Sequence, residues 1–175
     1  MEHATYNCSL CVALPLMLFF GFYFLLAGTP DRAVFKTYLR SRRVMGAALL
    51  LLAANYAAHL LTGVRFRDAD AAIAMNLSTY FLCYWLFSSA LITLLDRAYL
   101  TGRRTRAHIG LWAAFSALCG CVLLLPPGGA ARKAGLAVAA AGLVGYGLFL
   151  ARRLLLAYRG AVRMFDDTRS DDMGR

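Results

Sequence analysis

Charge is scarce in this chain. Of its 175 residues 16% are charged, where a soluble domain usually carries about a quarter. Only 9 are acidic, and none of these falls inside the long apolar runs described below, which argues against a proton-coupled pump. The H-E-x-x-H zinc motif, the G-x-S-x-G nucleophile turn and a glycine-rich phosphate loop are all missing, so the enzyme classes built on them are not expected. No Lys or Arg precedes Arg32. A cleaved signal peptide needs a positive start and a small-residue cleavage pattern. Met1–Ser9 carries Glu2 and no basic residue, and no such pattern precedes Pro30, so the first apolar run is expected to remain.

What the chain has in excess is apolar surface, 61% of its residues. Five charge-free stretches hold nearly all of it: Leu10–Ala27, Val44–Thr62, Ala72–Leu95, Ile109–Leu125 and Ala134–Ala151. Each is near the length of about 20 residues that crosses a bilayer's hydrocarbon core. A soluble enzyme, a secreted disulfide scaffold and a disordered tail are thereby excluded. The connections are too short to form another domain. The expected fold is an all-α polytopic bundle of five transmembrane helices over residues 1–165, with a helical extension and tail over 152–175.

The net charge of +10 would suit a nucleic-acid partner, but its placement is that of a topology signal. With the N-terminus outside, 15 of the 19 Lys and Arg face the cytoplasm, as the positive-inside rule requires of short loops. The orientation expected is N-out and C-in, in a bacterial inner membrane, with no nucleic acid bound directly by this segment. Between the first two spans, Thr29-Pro30-Asp31 reads as a helix start. In Arg32–Arg43, Val34, Phe35, Tyr38 and Leu39 share one face and Arg32, Lys36, Arg40 and Arg43 another. That pattern suits a short helix on anionic inner-leaflet lipids, or a plain solvated loop.

Polar groups inside spans are costly and mark candidate sites. Span two carries Asn55 and His59 at i and i+4; span three, running the other way, carries Asn76 and Tyr80. A rise of about 1.5 Å per residue sets them at matching depths. Two rungs follow, His59 with Asn76 and Asn55 with Tyr80, acting either as interhelical glue or as the wall of a small-ligand or proton site. Haem is not expected, because His59 and His108 lie about a bilayer apart. No other cofactor, metal site or catalytic residue is indicated. Cys8 and Cys11 form a C-x-x-C, and Cys119 and Cys121 a second outer pair, a superficial likeness to membrane thiol-redox enzymes. Buried small apolar cysteines are the simpler reading.

Span five continues past Ala151 as a helix. Leu154, Tyr158, Ala161 and Phe165 recur at steps of 4, 3 and 4, a heptad-like stripe fit for relaying a signal inward. Gly135, Ala139, Ala141, Gly142 and Gly145 on the same span allow close packing, within the bundle or in a homodimer. Asp96-Arg97 reads as an interfacial ion pair, Trp85 and Tyr84 as packing residues. The tail Asp166–Arg175 turns polar.

Several short motifs then combine: Tyr38-Leu39-Arg40-Ser41-Arg42-Arg43, Asn76-Leu77, Leu94-Leu95-Asp96-Arg97, Tyr158-Arg159 and Asp166-Asp167-Thr168-Arg169-Ser170-Asp171-Asp172. Together they resemble the N-terminal membrane domains of bacterial membrane-anchored regulators whose cytoplasmic part is a helix-turn-helix domain of the arabinose-regulator (AraC) type. The resemblance implies a signal-input module ahead of a transcriptional output and assigns no binding residue. A small transporter, a thiol-redox membrane protein and an assembly subunit are the other classes the sequence admits. Topology is testable directly: a reporter active only outside the cytoplasm should signal when fused at Asp68 and stay silent at Arg169. A signal at Arg169 contradicts the orientation.

Overall fold

The computed structural model describes residues 2–30 and 35–172, with side chains placed for 5–30 and 35–166. Among the described residues it is all-helical, with no strand. The helices are α1 (Glu2–Leu26), α2 (Lys36–Thr62), α3 (Val64–Arg67), α4 (Ala69–Leu95), α5 (Gly102–Leu123) and α6 (Ala130–Asp172). All except α3 are long and apolar enough to cross a membrane. The connections α2–α4 and α5–α6 define an upper end of the bundle; α1–α2 and α4–α5 define a lower end.

The apolar runs mark the helices, but the helices outrun them. Lipid offers the backbone no hydrogen-bond partner, so continuing a helix to its boundary is the cheapest way to pair N–H and C=O groups. α1 begins eight residues before Leu10, and α5 seven before Ile109. Span five is a single helix of 43 residues, roughly 65 Å long at 1.5 Å per residue, against a hydrocarbon core of ~30 Å.

A separate helix lying on the leaflet does not form. Lys36–Arg43 are the first turns of α2 itself, since nothing between Phe35 and Val44 breaks a helix. Asp31, where a start is expected, lies outside the described residues, as do Arg32 and Val34; α2 is described from Lys36, and Phe35 before it provides no side-chain cap. Two members of this segment are buried. Ser41 donates its hydroxyl to the Ala90 carbonyl at 2.5 Å, and Arg42 donates to the Ala27 carbonyl at the C-terminal end of α1. A cation there complements the helix dipole. At the far end Gly63 takes φ 60° and its N–H bonds the His59 carbonyl, a left-handed cap that lets the chain reverse into α3.

α4 is the central element. It packs against α2, α3, α5 and α6, whereas α1 rests on α2. Its buried residues are mostly small: Ala72, Ala74, Cys83, Ser88, Ser89, Ala90 and Thr93. These let neighbouring backbones approach closely. On the α5–α6 side the core is aromatic. Phe81 is stacked between Phe115, centroids 4.6 Å apart, and Tyr146, 4.0 Å apart. Ser78 and Ser116 hydroxyls share a hydrogen bond of 2.6 Å, and the Trp112 indole donates to the Ser78 carbonyl. Trp85 is buried as expected and stacks on His108, which bonds the Tyr146 hydroxyl at 2.8 Å. Tyr84 sits half out, against Gly147.

The lower end is closed by Tyr99, buried between the guanidinium groups of Arg104 and Arg153. Asp96 does not pair with Arg97 there. Its carboxylate accepts the Ala98 N–H at 2.9 Å, forming the turn that ends α4, a local bond shorter in reach than any ion pair. At the upper end the chain turns at Pro126–Gly129, with Gly128 at φ 76°.

α1 and α2 cross at two glycines. A Cβ on Gly46 would lie 2.9 Å from the Gly21 carbonyl oxygen and 3.0 Å from Leu25, and a backbone atom cannot swing aside. Gly46→Ala should therefore destabilise the bundle by about 1–3 kcal/mol, read from helicity lost on denaturing-detergent titration. Gly142 has nothing within 4 Å, so Gly142→Ala should leave the midpoint unchanged or raise it.

Candidate functional site

Near the upper end the polar residues of α2 and α4 meet, in a different arrangement from two separate rungs. Asn76 is the shared partner. Its Oδ1 accepts from Asn55 Nδ2 at 2.8 Å and lies 2.9 Å from His59 Nε2. Asn55 Oδ1 in turn accepts from the Thr79 hydroxyl at 3.2 Å. With the amides so oriented, the His59 Nε2 must carry a proton to bond the same oxygen. His59–Asn76 thus forms as expected, but Asn55 reaches Asn76 and Thr79 rather than Tyr80. Asn76 and Thr79, at i and i+3 of α4, both reach Asn55, whereas Tyr80 is on the flank of α4 that faces the cavity wall formed by α1.

Tyr80 instead lines a cavity of about 240 Å³ beside this cluster. α2 supplies Tyr56 and His59 to its wall, α4 supplies Asn76 and Tyr80, and α1 supplies Tyr6 and Ser9. Arg65 of α3 completes the lining. Its guanidinium lies 4.5 Å from the Tyr6 ring centroid, and Phe66 meets the same ring edge-on at 5.8 Å. This single helical turn thereby ties the start of α1 to the mouth. His59 is 3% exposed, and its Nδ1 is buried with no hydrogen-bond partner. In the tautomer the network requires, that nitrogen is an acceptor left over for a proton or a donor.

The same stretch of α4 is clamped from its other side. Asp68 caps α4 by accepting the Ala71 N–H at 3.0 Å. Arg132 of α6, 4% exposed, lies 3.2 Å from Asp68 through Nη2 and 2.9 Å from Asp70 through Nε; the Nε contact is an ion pair without hydrogen-bond alignment. A buried guanidinium needs such carboxylates. Asp68 is held below the ordinary carboxylate range, chiefly by the Ala71 N–H and further by the Arg132 charge.

The expected relay stripe divides. Leu154 lines a groove with Tyr84 and Leu91 of α4, and Ala161 and Phe165 line a cleft with Leu95, Asp96 and Arg97. Tyr158 and Phe165 are both more than half exposed. Leu154 and Ala161 are thus the half-buried members of the stripe, while Tyr158 and Phe165 keep most of their surface exposed. The small residues divide likewise. Ala139 is buried and Gly135 abuts Val122 of α5, while Ala141, Gly142 and Gly145 are exposed. All five cysteines are free thiols. Cys119 is buried and Cys121 exposed, as two positions on one helix, about 200° apart, must be.

Comparison with protein-family models, curated proteins and solved structures finds no match. Tyr6 and Tyr56 were not singled out from the sequence. Tyr56, beside Asn55, carried a usable hint; the reach of α1 to α3 had no local signal.

Two measurements follow. Asn76→Leu strands both Asn55 and His59 and should cost about 1–3 kcal/mol, more than Thr79→Val in the same detergent titration. Because the folded carboxyl of Asp68 titrates below its unfolded value, its contribution is complete above the ordinary carboxylate range and is lost as pH falls through the lowered value. Asp68→Asn should therefore lose less stability in acid than the wild type.

Proposed function

We propose that the chain is a signal-input module of a bacterial inner membrane, N-terminus outside, in which occupancy of the upper cavity biases the packing of α4 and α6. The supporting observation is that α4 carries both ends of the path. Asn76 and Tyr80 form part of the cavity, and Asp68 and Asp70, two to three turns earlier, grip the first turns of α6 through Arg132. α6 then runs along α4 and past its end. A cavity of this size suits a small molecule. Arg65 and the tyrosine hydroxyls offer hydrogen-bond donors. The charge split of the loops supports the N-out orientation.

On this reading the extension beyond Ala151 is the output. The resemblance to membrane-anchored AraC-type regulators makes transcription the favoured destination. The exposed Ala141, Gly142 and Gly145 face is where a second copy would pack in a homodimer. A transporter is less well supported, because the cavity is bounded below by the Asn55–Asn76–His59 cluster and the tight α1–α2 crossing. Thiol chemistry is less well supported too, since Cys119 and Cys121 point apart.

The test is amide hydrogen exchange in nanodiscs. His59→Leu and Tyr80→Phe should change protection within 152–166 of α6, at the opposite end of the bundle, with helicity and membrane insertion retained. Exchange in that stretch identical to wild type in both variants contradicts the proposal.

A further inference from the structure

At the lower end, on the side of α2 away from Arg42, three cations stand in a row. Lys36, Arg40 and Arg43 at i, i+4 and i+7 occupy a sector of roughly 60° on the helix, and all three are exposed. They border a cleft of about 440 Å³ whose remaining lining is apolar: Leu39, Val44 and Ala47 of α2 with Leu86 of α4. No acidic side chain lines it, and none of the three cations has an ion-pair partner among the described residues. The row spans about 10 Å along the axis, comparable to one interfacial layer of a bilayer. The apolar lining begins at Val44, where the hydrocarbon run starts. Positive charge stacked on an apolar slot matches an amphiphile, phosphate below and chain above; a free anion would leave the slot unused.

We infer that this cleft holds one anionic phospholipid. Lys36, Arg40 and Arg43 bind the headgroup phosphate, and an acyl chain lies in the slot between α2 and α4 against Val44, Ala47 and Leu86. The inference rests on the chain spanning a membrane but is independent of the upper cavity and of orientation. It has a structural consequence: the lipid would bridge the same two helices that the Asn55–Asn76 bond joins at the other end.

Native mass spectrometry of the full chain tests it, with dioleoyl phosphatidylglycerol and dioleoyl phosphatidylcholine competing in mild detergent. One phosphatidylglycerol should be retained preferentially. The Lys36→Gln, Arg40→Gln, Arg43→Gln variant should lose that preference by about fivefold per charge removed. A control removing the same charge elsewhere, Arg103→Gln, Arg106→Gln, Arg152→Gln, should keep it. Leu86→Trp, which fills the slot and leaves every cation in place, should weaken retention as well. Equal loss in the control means a diffuse surface-charge effect and overturns the site. So does equal retention of the two lipids by wild type, or an unchanged preference in both the triple variant and Leu86→Trp.

Discussion

The packing of α4 against three of the other four spanning-length helices is the constraint on which the rest of the bundle depends. Lipid chains are as apolar as the helices, so no hydrophobic gain drives the helices together. Close van der Waals approach and polar bonds must do it. α4 provides both along its whole length, with alanines and the Asn76 amide above, the Phe81 stack at mid-depth, and Cys83, Ser88, Ser89 and Thr93 below. α1 packs along α2 rather than on α4, and is held by the Gly21–Gly46 crossing, by Arg42 on its C-terminal carbonyl, and by Tyr6 under α3.

A shared central helix has a mechanical consequence. What shifts α4 at one end is felt by every helix packed on it, provided its two arrangements differ little in energy. The upper cavity is lined by Asn76 and Tyr80 of α4, and the Arg132 clamp grips its cap Asp68 and its first-turn Asp70. Each polar bond there is worth only about 0.6–2 kcal/mol, comparable to a typical allosteric coupling of about 1–3 kcal/mol. On the proposed reading, a small ligand that exchanged hydrogen bonds with Asn76 or His59 would supply energy of the order needed to change how α4 sits against α6.

The sequence made the membrane-spanning architecture plain, because hydropathy over 18–20 residues depends on composition and hardly on packing. It also paired His59 with Asn76, since helix rise alone fixes depth. It misassigned Asn55 because depth says nothing about rotation. Tyr80 is the residue at the height of Asn55, but the Asn55 amide reaches about one turn along α4 to Asn76, and Tyr80 lines the cavity instead. The Arg32–Arg43 segment misled for a related reason. An amphipathic pattern is the same for a helix on a surface and for the first turns of a spanning helix, and Ser41 and Arg42 reveal which only through partners 49 and 15 residues away. Arg132 was unreadable: a basic residue at a loop gives no sign of carboxylates 64 residues earlier.

The most direct test of coupling through α4 is a distance across the lower end. Spin labels at Arg106 of α5 and Arg159 of α6, with Cys8, Cys11 and Cys121 replaced by Ser, report how the extension of α6 sits relative to the bundle. Releasing the clamp at the far end with Arg132→Leu should shift or broaden the distance distribution measured in nanodiscs while helicity is retained. An unchanged distribution, in a bundle still folded, would show that α6 does not sense the upper end of α4.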